Sequence, residues 1–334
     1  MTIRTVCAAV LALGAAIALP AIPTLADAPK LTVSVNFGPA ASIPDPRSRQ
    51  HGWYTNHAGI SETLLRLDYD MKLAPRLATS WKNTAPDTWV LELRDGVRFH
   101  DGGLMDAAAV KASFDVMAKE GHPAHNPRYL KLLDLASIEA NGMTLTFRTK
   151  TPNAAFPWAL TEPYAAVVRP EGKADMPIIA TGPYIFVSNE PNRRLTVRAF
   201  ADYWGDKPQA SEIRIDAIPD AQTARLALEA GDVQLVLNYP ETDFARLKRD
   251  GAGKLQLFSA PTLRLFFMTT NHRSGPMTDP VVREAISLAV DREALVDIAT
   301  GGVGAVPART VFPLNMEAWV NQKDKLTNDT AQAT

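Results

Sequence analysis

The stretch Thr181–Asp232 decides the fold, and four segments carry its pattern: TGPYIF at 181–186, ADYWG at 201–205, IRIDAIPD at 213–220 and ARLALEAGDV at 224–233. The Gly182–Pro183 pair predicts a turn that leads into a strand. Leu195–Arg198 alternates apolar and polar residues as a second strand does, and residues 213–217 place three apolar side chains on one face of a third. The first part of the stretch is therefore predicted to be a series of strands.

A helix and another strand are predicted to complete this unit. Asp220 is placed to cap the helix, and Gly231 to end it. The residues of the helix that are available for burial are Ala224, Leu226, Ala227, Leu228 and Ala230. Residues 233–237 then alternate as a strand, with apolar residues at Val233, Leu235 and Leu237. Strands that alternate with a helix are typical of an α/β domain, and no residue of the stretch stands in a catalytic pattern.

The N-terminus has the composition of a secretory signal peptide. A short basic region ends at Arg4, and the apolar run Val6–Ala21 is too short and too rich in alanine to span a bilayer stably. Small residues permit cleavage after Ala26 or after Ala28. An uncleaved membrane anchor is the alternative, but prolines at positions 20 and 23 interrupt the run near its end. The pattern predicts export to the periplasm.

The single cysteine, Cys7, precedes the apolar run instead of following it, where a lipoprotein acceptor would stand. The exported chain is therefore expected to have no thiol, disulfide or lipid anchor of that kind, which excludes thiol catalysis and zinc–thiolate sites. The net charge is −1, and cleavage after Ala26 would remove Arg4 and no acid, so that it becomes −2. Such a charge gives no basic face for nucleic acid. The 334 residues have room for two lobes.

The segments before the deciding stretch predict further strands and helices. Leu31–Phe37 alternates as a half-buried strand, and Gly59–Leu67 is predicted to be a helix with Ile60, Leu64 and Leu65 on one side. Trp89–Leu93 is predicted to turn at Asp95–Gly96 and to pair with a return strand that contains Val97 and Phe99.

Other local signals predict short elements along the rest of the chain. Asp106 is placed to cap a helix at Ala107–Lys119, and the Asn141–Gly142 pair predicts a hairpin that leads into Thr144–Arg148. A helical or irregular apolar stretch is predicted at 129–135, and a short helix is predicted at 156–160. Strands are predicted at 254–258 and 264–269, and a helix that starts at Pro280 is predicted to bury a stripe formed by Ile286, Ala289 and Val290.

The four segments of the deciding stretch, in their order, closely resemble the extracytoplasmic solute-binding proteins that feed peptide and nickel ABC importers, known as family 5 of the bacterial solute-binding proteins. Two further segments share the resemblance, WVLELRDGVRFHDG at 89–102 and DPVVREAISLAVDR at 279–292. The resemblance implies an α/β, periplasmic binding protein-like two-lobed fold of type II, with an extra subdomain in lobe one at about residues 68–172.

The same resemblance implies the domain boundaries. Residues 1–26 are expected to be the signal peptide, 27–260 lobe one and 261–334 the start of lobe two, with Ala260–Pro261 as the candidate hinge. Members of the family continue well beyond this point. The second lobe is therefore expected to be incomplete, and the 334 residues alone are expected to bind solute poorly.

The chain contains no hydrolase, zinc-protease or nucleotide-binding motif. The resemblance therefore implies a periplasmic protein that is not an enzyme, a monomer without cofactor or nucleic-acid partner, which captures a small solute and delivers it to ABC permease subunits in the inner membrane. Oligopeptides are the leading ligand class, and nickel or another metal chelate comes next. A secreted hydrolase and a periplasmic chaperone or sensor with the same fold are the alternatives.

The residues predicted to contact the ligand are His51, Tyr54, His57, Arg128, Tyr129, Trp158 and Glu162. The resemblance places the first three in a loop and helix that line the cleft, and the aromatic rings of Tyr129 and Trp158 where they can stack on a ligand. Exposure at the start of a helix is the alternative for the histidines, and core packing is the alternative for the two aromatics. Glu162 is suited to receive a cationic group.

Metal binding has one candidate pair of its own, His122 and His125, because nickel and copper favour nitrogen donors. Solvated side chains are the alternative, since no third ligand stands nearby. The resemblance further implies that a nickel-binding member would hold the carboxylates of its chelate with an arginine near 158–163. This chain has none there before Arg169, which disfavours a nickel chelate.

Overall fold

The computed structural model describes residues 28–48, 51–68, 70–250, 253, 255–259, 265–303 and 305–308. The predicted signal peptide and the candidate hinge Ala260–Pro261 lie outside the described residues.

Within this part of the chain the strands are β1 Lys30–Val35, β2 Leu65–Leu67, β3 Leu73–Pro75, β4 Ala78–Ala85, β5 Thr88–Leu93, β6 Leu135–Asn141, β7 Thr144–Thr149, β8 Tyr184–Glu190, β9 Arg194–Ala199, β10 Glu212–Ala217 and β11 Leu235–Val236. The α-helices are α1 Gly52–His57, α2 Ala107–Asp115, α3 Pro127–Leu133, α4 Phe156–Ala159, α5 Ala221–Ala230, α6 Glu241–Asp250, α7 Pro280–Ala289 and α8 Arg292–Thr300. Single 3₁₀ turns lie at Val116–Ala118, Pro163–Ala165 and Pro276–Thr278.

The larger sheet has the strand order β11-β1-β10-β9-β8. β1 runs parallel to β10 and β11, whereas β8, β9 and β10 are antiparallel. The strands and the helix predicted from the deciding stretch are confirmed: the Thr223 amide donates to the Asp220 carboxylate at 2.7 Å at the start of α5, and Gly231 ends the helix with a φ of +84°. The predicted burial of α5 was wrong in part. Ala224 is buried but Leu226 and Ala230 are exposed, because the helix packs beside the short strand β11 at the sheet edge.

The second sheet is antiparallel throughout and has the order β4-β5-β7-β6. With α2 it encloses the larger apolar core, which includes Leu91, Phe114 and Phe147. The hairpin at Asn141–Gly142 and the short helices near 129 and 156 are confirmed. The helix after Asp106 is confirmed as far as Asp115, where a 3₁₀ turn replaces the rest of the predicted range to Lys119.

The predicted return strand with Val97 and Phe99 was wrong. β5 pairs with β4 on one side and β7 on the other, so neither of its edges is free for a further strand. Val97 and Phe99 are fully buried in a compact turn instead, in which the Phe99 amide donates to the Gly103 carbonyl at 2.8 Å and the Met105 amide donates to the Val97 carbonyl at 2.9 Å.

The predicted helix at Gly59–Leu67 was also wrong. The segment contains no helix, and its last three residues form β2, which pairs with β3. The apolar residues Ile60, Leu64 and Leu65 are buried as expected, but the polar residues between them, at 61–63, are buried as well. A segment enclosed on all sides has no solvent face, so its apolar spacing carried no helical signal.

Two predictions for the last third of the chain were wrong in part. The described residues 255–259 and 265–269 carry no strand, and Lys254 and Arg264 lie outside the described residues. The helix that begins at Pro280 is confirmed, but it ends at Ala289 because Val290 leaves the helical region with a ψ of 114°. No residue of α7 is buried. Exposed apolar side chains are frequent here and include Phe258, Phe266, Phe267 and Ile298.

A buried acid explains the YWG segment of the deciding stretch. The Glu62 side chain is fully buried and accepts hydrogen bonds from the Tyr203 hydroxyl at 2.8 Å, the Trp204 indole nitrogen at 2.9 Å and Arg76 Nε at 3.1 Å. The Arg94 guanidinium lies over the Trp204 ring, 4.4 Å from its centroid. We call these residues the Glu62 network. It joins the segment before β2 to the loop after β9.

Candidate ligand-binding site

A buried arginine holds the loop that precedes α1. The Arg47 side chain is 1% exposed, and its guanidinium pairs with Asp45 at 2.9 Å. The same guanidinium donates to the Val168 carbonyl oxygen at 3.3 Å. Because a buried cation needs both a counter-ion and acceptors, these contacts fix the loop to the core and set the position at which α1 begins.

Gly52 allows α1 to lie directly against the turn at Pro163–Ala165. A Cβ atom at this position would be 2.4 Å from the Pro46 carbonyl oxygen and 3.3 Å from the Tyr164 ring. The Tyr164 ring in turn packs edge-on against Tyr129, with centroids 5.8 Å apart. α1 is therefore held against the turn that follows Glu162, and through Tyr164 it is connected to Tyr129.

Aromatic rings cover the outer surface of α1 and the end of β1. The Tyr54 ring lies edge-on to Phe37 at 5.2 Å and to Trp53 at 5.1 Å, and the His57 ring lies over Trp53 at 4.2 Å. Phe37 and Trp53 are 55% and 38% exposed. His57 Nδ1 is 2.6 Å from the Trp53 carbonyl oxygen, so Nδ1 is the donor and Nε2 of the neutral ring is left as an acceptor. We call Phe37, Trp53, Tyr54 and His57 the α1 aromatic cluster.

Two of the predicted residues on this helix carry buried polar atoms that have no partner among the described residues, His51 Nδ1 and the Tyr54 hydroxyl. Burial lowers the pKa of His51, while the nearby Asp45 carboxylate opposes this shift. Burial also raises the pKa of Tyr54 to about 12. Both side chains are therefore neutral near pH 7. His57 is exposed, as the alternative for both histidines expects, although it lies at the end of α1, whereas His51 at the start of the helix is buried.

Tyr129 lies in the core. Its side chain is 2% exposed, and its hydroxyl donates to the Ala159 carbonyl oxygen at 2.6 Å. Burial and the negative charge of Glu162 raise the pKa of Tyr129 well above its usual value. The core-packing alternative therefore describes this ring, which supports the wall of the site.

Trp158, Glu162 and Arg128 reach the surface around Tyr129. Trp158 is 44% exposed, and Arg128 is exposed in the first turn of α3. Although Glu162 as a residue is exposed, its carboxyl is partly desolvated, and this burial raises its pKa. A carboxylate in such surroundings gains from a cationic partner more than a fully solvated one does.

His122 and His125 make hydrogen-bond contacts with backbone groups that hold their loop in place. His122 Nδ1 accepts from the Ala124 amide at 3.0 Å, and its Nε2 lies 3.1 Å from the Pro170 carbonyl oxygen. His125 Nδ1 lies 3.0 Å from the Met117 carbonyl oxygen. Across the described residues, no group of three or more histidine, cysteine, aspartate or glutamate side chains is placed to hold a metal ion.

The sequence did not reveal every residue of this surface. Phe37 reads as one more apolar residue of β1, yet it lies beyond the strand end and packs on Tyr54. Gly52 and Tyr164 carry no local motif, because their role is a contact between segments 112 residues apart along the chain (164 − 52). The sequence offered one signal for this surface: Trp53 and His57 are four residues apart and therefore lie on the same face of a helix.

The α/β fold, with its mixed sheet of parallel and antiparallel strands, is that of the two-lobed periplasmic binding proteins. A nickel ABC transporter from Bacillus halodurans superimposes with a TM-score of 0.70 at 28% identity, over 86% of this chain and 59% of that one. The periplasmic binding protein DppA from Helicobacter pylori, in complex with the peptide STSA, shares the fold with a TM-score of 0.70 at 20% identity, over 91% of this chain and 64% of that one.

The family follows from the sequence match. Residues 72–334 match the bacterial extracellular solute-binding proteins, family 5 Middle, and the chain belongs to this family. The glutathione-binding protein GsiB of Salmonella paratyphi A is 30% identical over 272 residues, which are 77% of this chain and 52% of that protein. The chain thus spans about half the length of the curated relatives it matches. No helix among its described residues combines the length and the apolar character needed to cross a membrane.

Proposed function

We propose that this chain is the solute-binding component of an ABC importer, which captures a small solute and presents it to permease subunits in the membrane without converting it chemically. The observation that supports the proposal is the packing of α1, which carries the exposed Trp53 ring, against the turn at Pro163–Ala165, which directly follows Glu162. Exposed aromatic rings beside a partly desolvated carboxylate form a binding surface, and family membership supports the same function.

A peptide-like solute is the class that these residues favour. The aromatic rings at 53 and 158 offer faces for side chains or peptide planes, and the Glu162 carboxylate offers a counter-ion for an amino terminus. The relative described as glutathione-binding takes a tripeptide, which belongs to this class. Arg128, His51, Tyr54 and Tyr129 complete the proposed contact set, the last as support.

A metal chelate is the second candidate. His57 favours it, since its ring is exposed and its Nε2 is free to ligate. The absence of arginine between Trp158 and Val168 speaks against it, because a chelate with several carboxylates needs cationic partners.

The mechanism we propose is closure of two lobes around the solute. A ligand that contacts both lobes has a higher affinity for the closed state and shifts the population by that difference. In this proposal residues 1–26 direct export to the periplasm, 27–260 form lobe one, and 261–334 begin lobe two. The protein acts as a monomer.

Thermal unfolding of the chain with a panel of solutes tests the function. The panel contains glutathione, alanine dipeptide and tripeptide, and nickel with histidine. A solute present at about 100 times its Kd stabilises the folded chain by roughly 2.7 kcal/mol. Trp53→Ala and Trp158→Ala are expected to remove this shift, while Leu132→Ala, which truncates another exposed side chain, leaves it unchanged.

Either of two results would contradict the proposal. The first is a panel in which no solute raises the unfolding temperature even at the highest soluble concentration, which would reveal the weak binding expected of these residues alone. The second is a stabilising solute whose effect survives both tryptophan substitutions, or which is consumed during the incubation.

A further inference from the structure

The rings of Phe37 and Trp53 form an exposed aromatic surface beside the end of β1. Phe37 follows Val35, the last residue of this strand, by two positions. β1 runs parallel to both of its neighbours in the sheet, β10 and β11. Because open α/β sheets bind ligands outside the carboxyl ends of their parallel strands, the position of Phe37 is one at which a solute is expected.

Tyr54 and His57 hold the two exposed rings in place. The Tyr54 ring is 8% exposed, and the planes of Phe37 and Trp53 make angles of 88° and 89° with it. His57 lies over Trp53, and its Nδ1 donates to the Trp53 carbonyl oxygen at 2.6 Å. Rings that are fixed before a ligand arrives lose little conformational freedom when it binds.

The aromatic surface carries no net charge. Among the described residues, none of the rings of the α1 aromatic cluster takes part in an ion pair, and burial without a charged neighbour raises the pKa of Tyr54. The acid that acts on the adjacent His51 is Asp45, and Arg47 pairs with it at 2.9 Å. An uncharged apolar group is therefore favoured as the occupant of this surface.

We infer that the α1 aromatic cluster is the subsite for an aromatic side chain of the solute, with Phe37 and Trp53 as the two contacting rings. An aliphatic side chain would bury similar apolar area, but only a ring gains edge-to-face or offset contacts of the kind that these rings already make with Tyr54. The inference deepens the proposed function by naming a side-chain class, and rests on it for the rest of the solute. The rings themselves can be tested with amino-acid fragments.

The test uses the full chain with 5-fluorotryptophan and follows its ¹⁹F resonances during titration with the N-acetyl amides of phenylalanine, cyclohexylalanine and lysine. Trp53→Phe identifies the resonance of Trp53. We expect the phenylalanine probe to shift this resonance saturably and to bind at least threefold more tightly than the cyclohexylalanine probe, although cyclohexylalanine is the more apolar of the two. The lysine probe, which tests attraction of a cation to the ring faces, is expected to bind more weakly than the phenylalanine probe. The resonance of Trp204, whose ring is covered by Arg94, should stay unmoved.

One variant and one control make the test specific. Phe37→Leu keeps an apolar side chain but removes the ring, and is expected to abolish the preference for phenylalanine over cyclohexylalanine. Leu104→Ala truncates a side chain that is 58% exposed, close to the 55% of Phe37, and is expected to leave the preference intact.

Three results would overturn the inference: a Trp53 resonance that the phenylalanine probe does not move, binding of the cyclohexylalanine or lysine probe that is as tight as that of phenylalanine, or an undiminished preference in Phe37→Leu. None of them touches the proposed function, whose own failure is an absence of stabilisation by the solute panel.

Discussion

Replacement of Glu62 is the sharpest test of how the loop after β9 is held to the segment before β2. Its carboxylate accepts from three donors, those of Tyr203, Trp204 and Arg76, at 2.8–3.1 Å, and its side chain is fully buried. Hydrogen bonds to a charged group contribute about 1.5–3 kcal/mol each, and removal of one partner from a buried pair costs about 3–5 kcal/mol. We therefore expect Glu62→Ala to lower the free energy of unfolding by about 4 kcal/mol.

The conservative variant separates charge from shape. Glu62→Gln keeps the volume but turns an amide NH₂ towards a donor, because all three partners donate, and is expected to cost about 2 kcal/mol. Tyr203→Phe removes one hydrogen bond and is expected to cost about 1.5 kcal/mol. The double variant should lose less than the sum of the two single losses, since both act on one contact.

Urea denaturation followed by tryptophan fluorescence measures these differences. Glu190→Gln is the matched control, because this acid pairs with Arg193 at the surface and is expected to cost less than about 0.5 kcal/mol. A loss below about 1 kcal/mol for Glu62→Ala, or strict additivity in the double variant, would refute the reasoning.

Two further predictions follow from single residues. The His100 side chain is buried, with Nδ1 accepting a hydrogen bond from the Ala180 amide and Nε2 donating one to the Gly182 carbonyl. Burial lowers the pKa of His100 from 6.5 to about 4. Since the unfolded chain takes up the proton first, the His100 contribution is complete above pH 6.5 and is lost as pH falls towards 4, by about 1.4 kcal/mol per unit. Urea midpoints between pH 7.5 and 4.5 should fall less steeply for His100→Gln than for wild type, while His272→Gln, at an exposed site, should follow wild type; parallel curves for all three would contradict this account. Gly52→Ala is expected to cost about 2 kcal/mol or more, because its Cβ would meet the Pro46 carbonyl oxygen at 2.4 Å, and Gly38→Ala, with ordinary contacts at 3.5 Å, should cost little; equal thermal midpoints for the two variants would show that α1 does not depend on this close approach.

The sequence predicted best where local chemistry and final structure agree. Asp220 and Gly231 bound α5 as their residue types require, and Asp106 caps α2 through the Ala109 amide at 2.7 Å. Such signals need only neighbours in the chain. They predicted the strands of the larger sheet, whereas in the second sheet they predicted β5 and β7 but not β4.

Errors arose where tertiary contacts override the local pattern. The segment at 59–67 carries apolar residues at helical spacing, but the polar residues at 61–63 are buried too. Glu62 accepts hydrogen bonds from Tyr203 and Trp204, which lie far along the chain, and no local pattern indicates such partners. Val97 and Phe99 alternate like a strand, yet β4 and β7 already occupy both edges of β5. No local pattern reports which partner takes an edge.

The candidate site shows the same division. The sequence singled out His51, Tyr54 and His57 together. His51 directly precedes α1, and the other two residues lie in this helix. It could not tell that Tyr129 is enclosed in the core, because this burial depends on packing between distant segments.

Calorimetric titration of the chain with glutathione and with short peptides, followed by ¹H NMR of the recovered solute, tests the central claim most directly. Solute binding without chemistry predicts saturable heat for at least one of these peptides, loss of that heat in Trp53→Ala, and recovery of the solute unchanged. Absence of heat with every peptide at millimolar concentration, or recovery of a cleaved peptide, would contradict the claim.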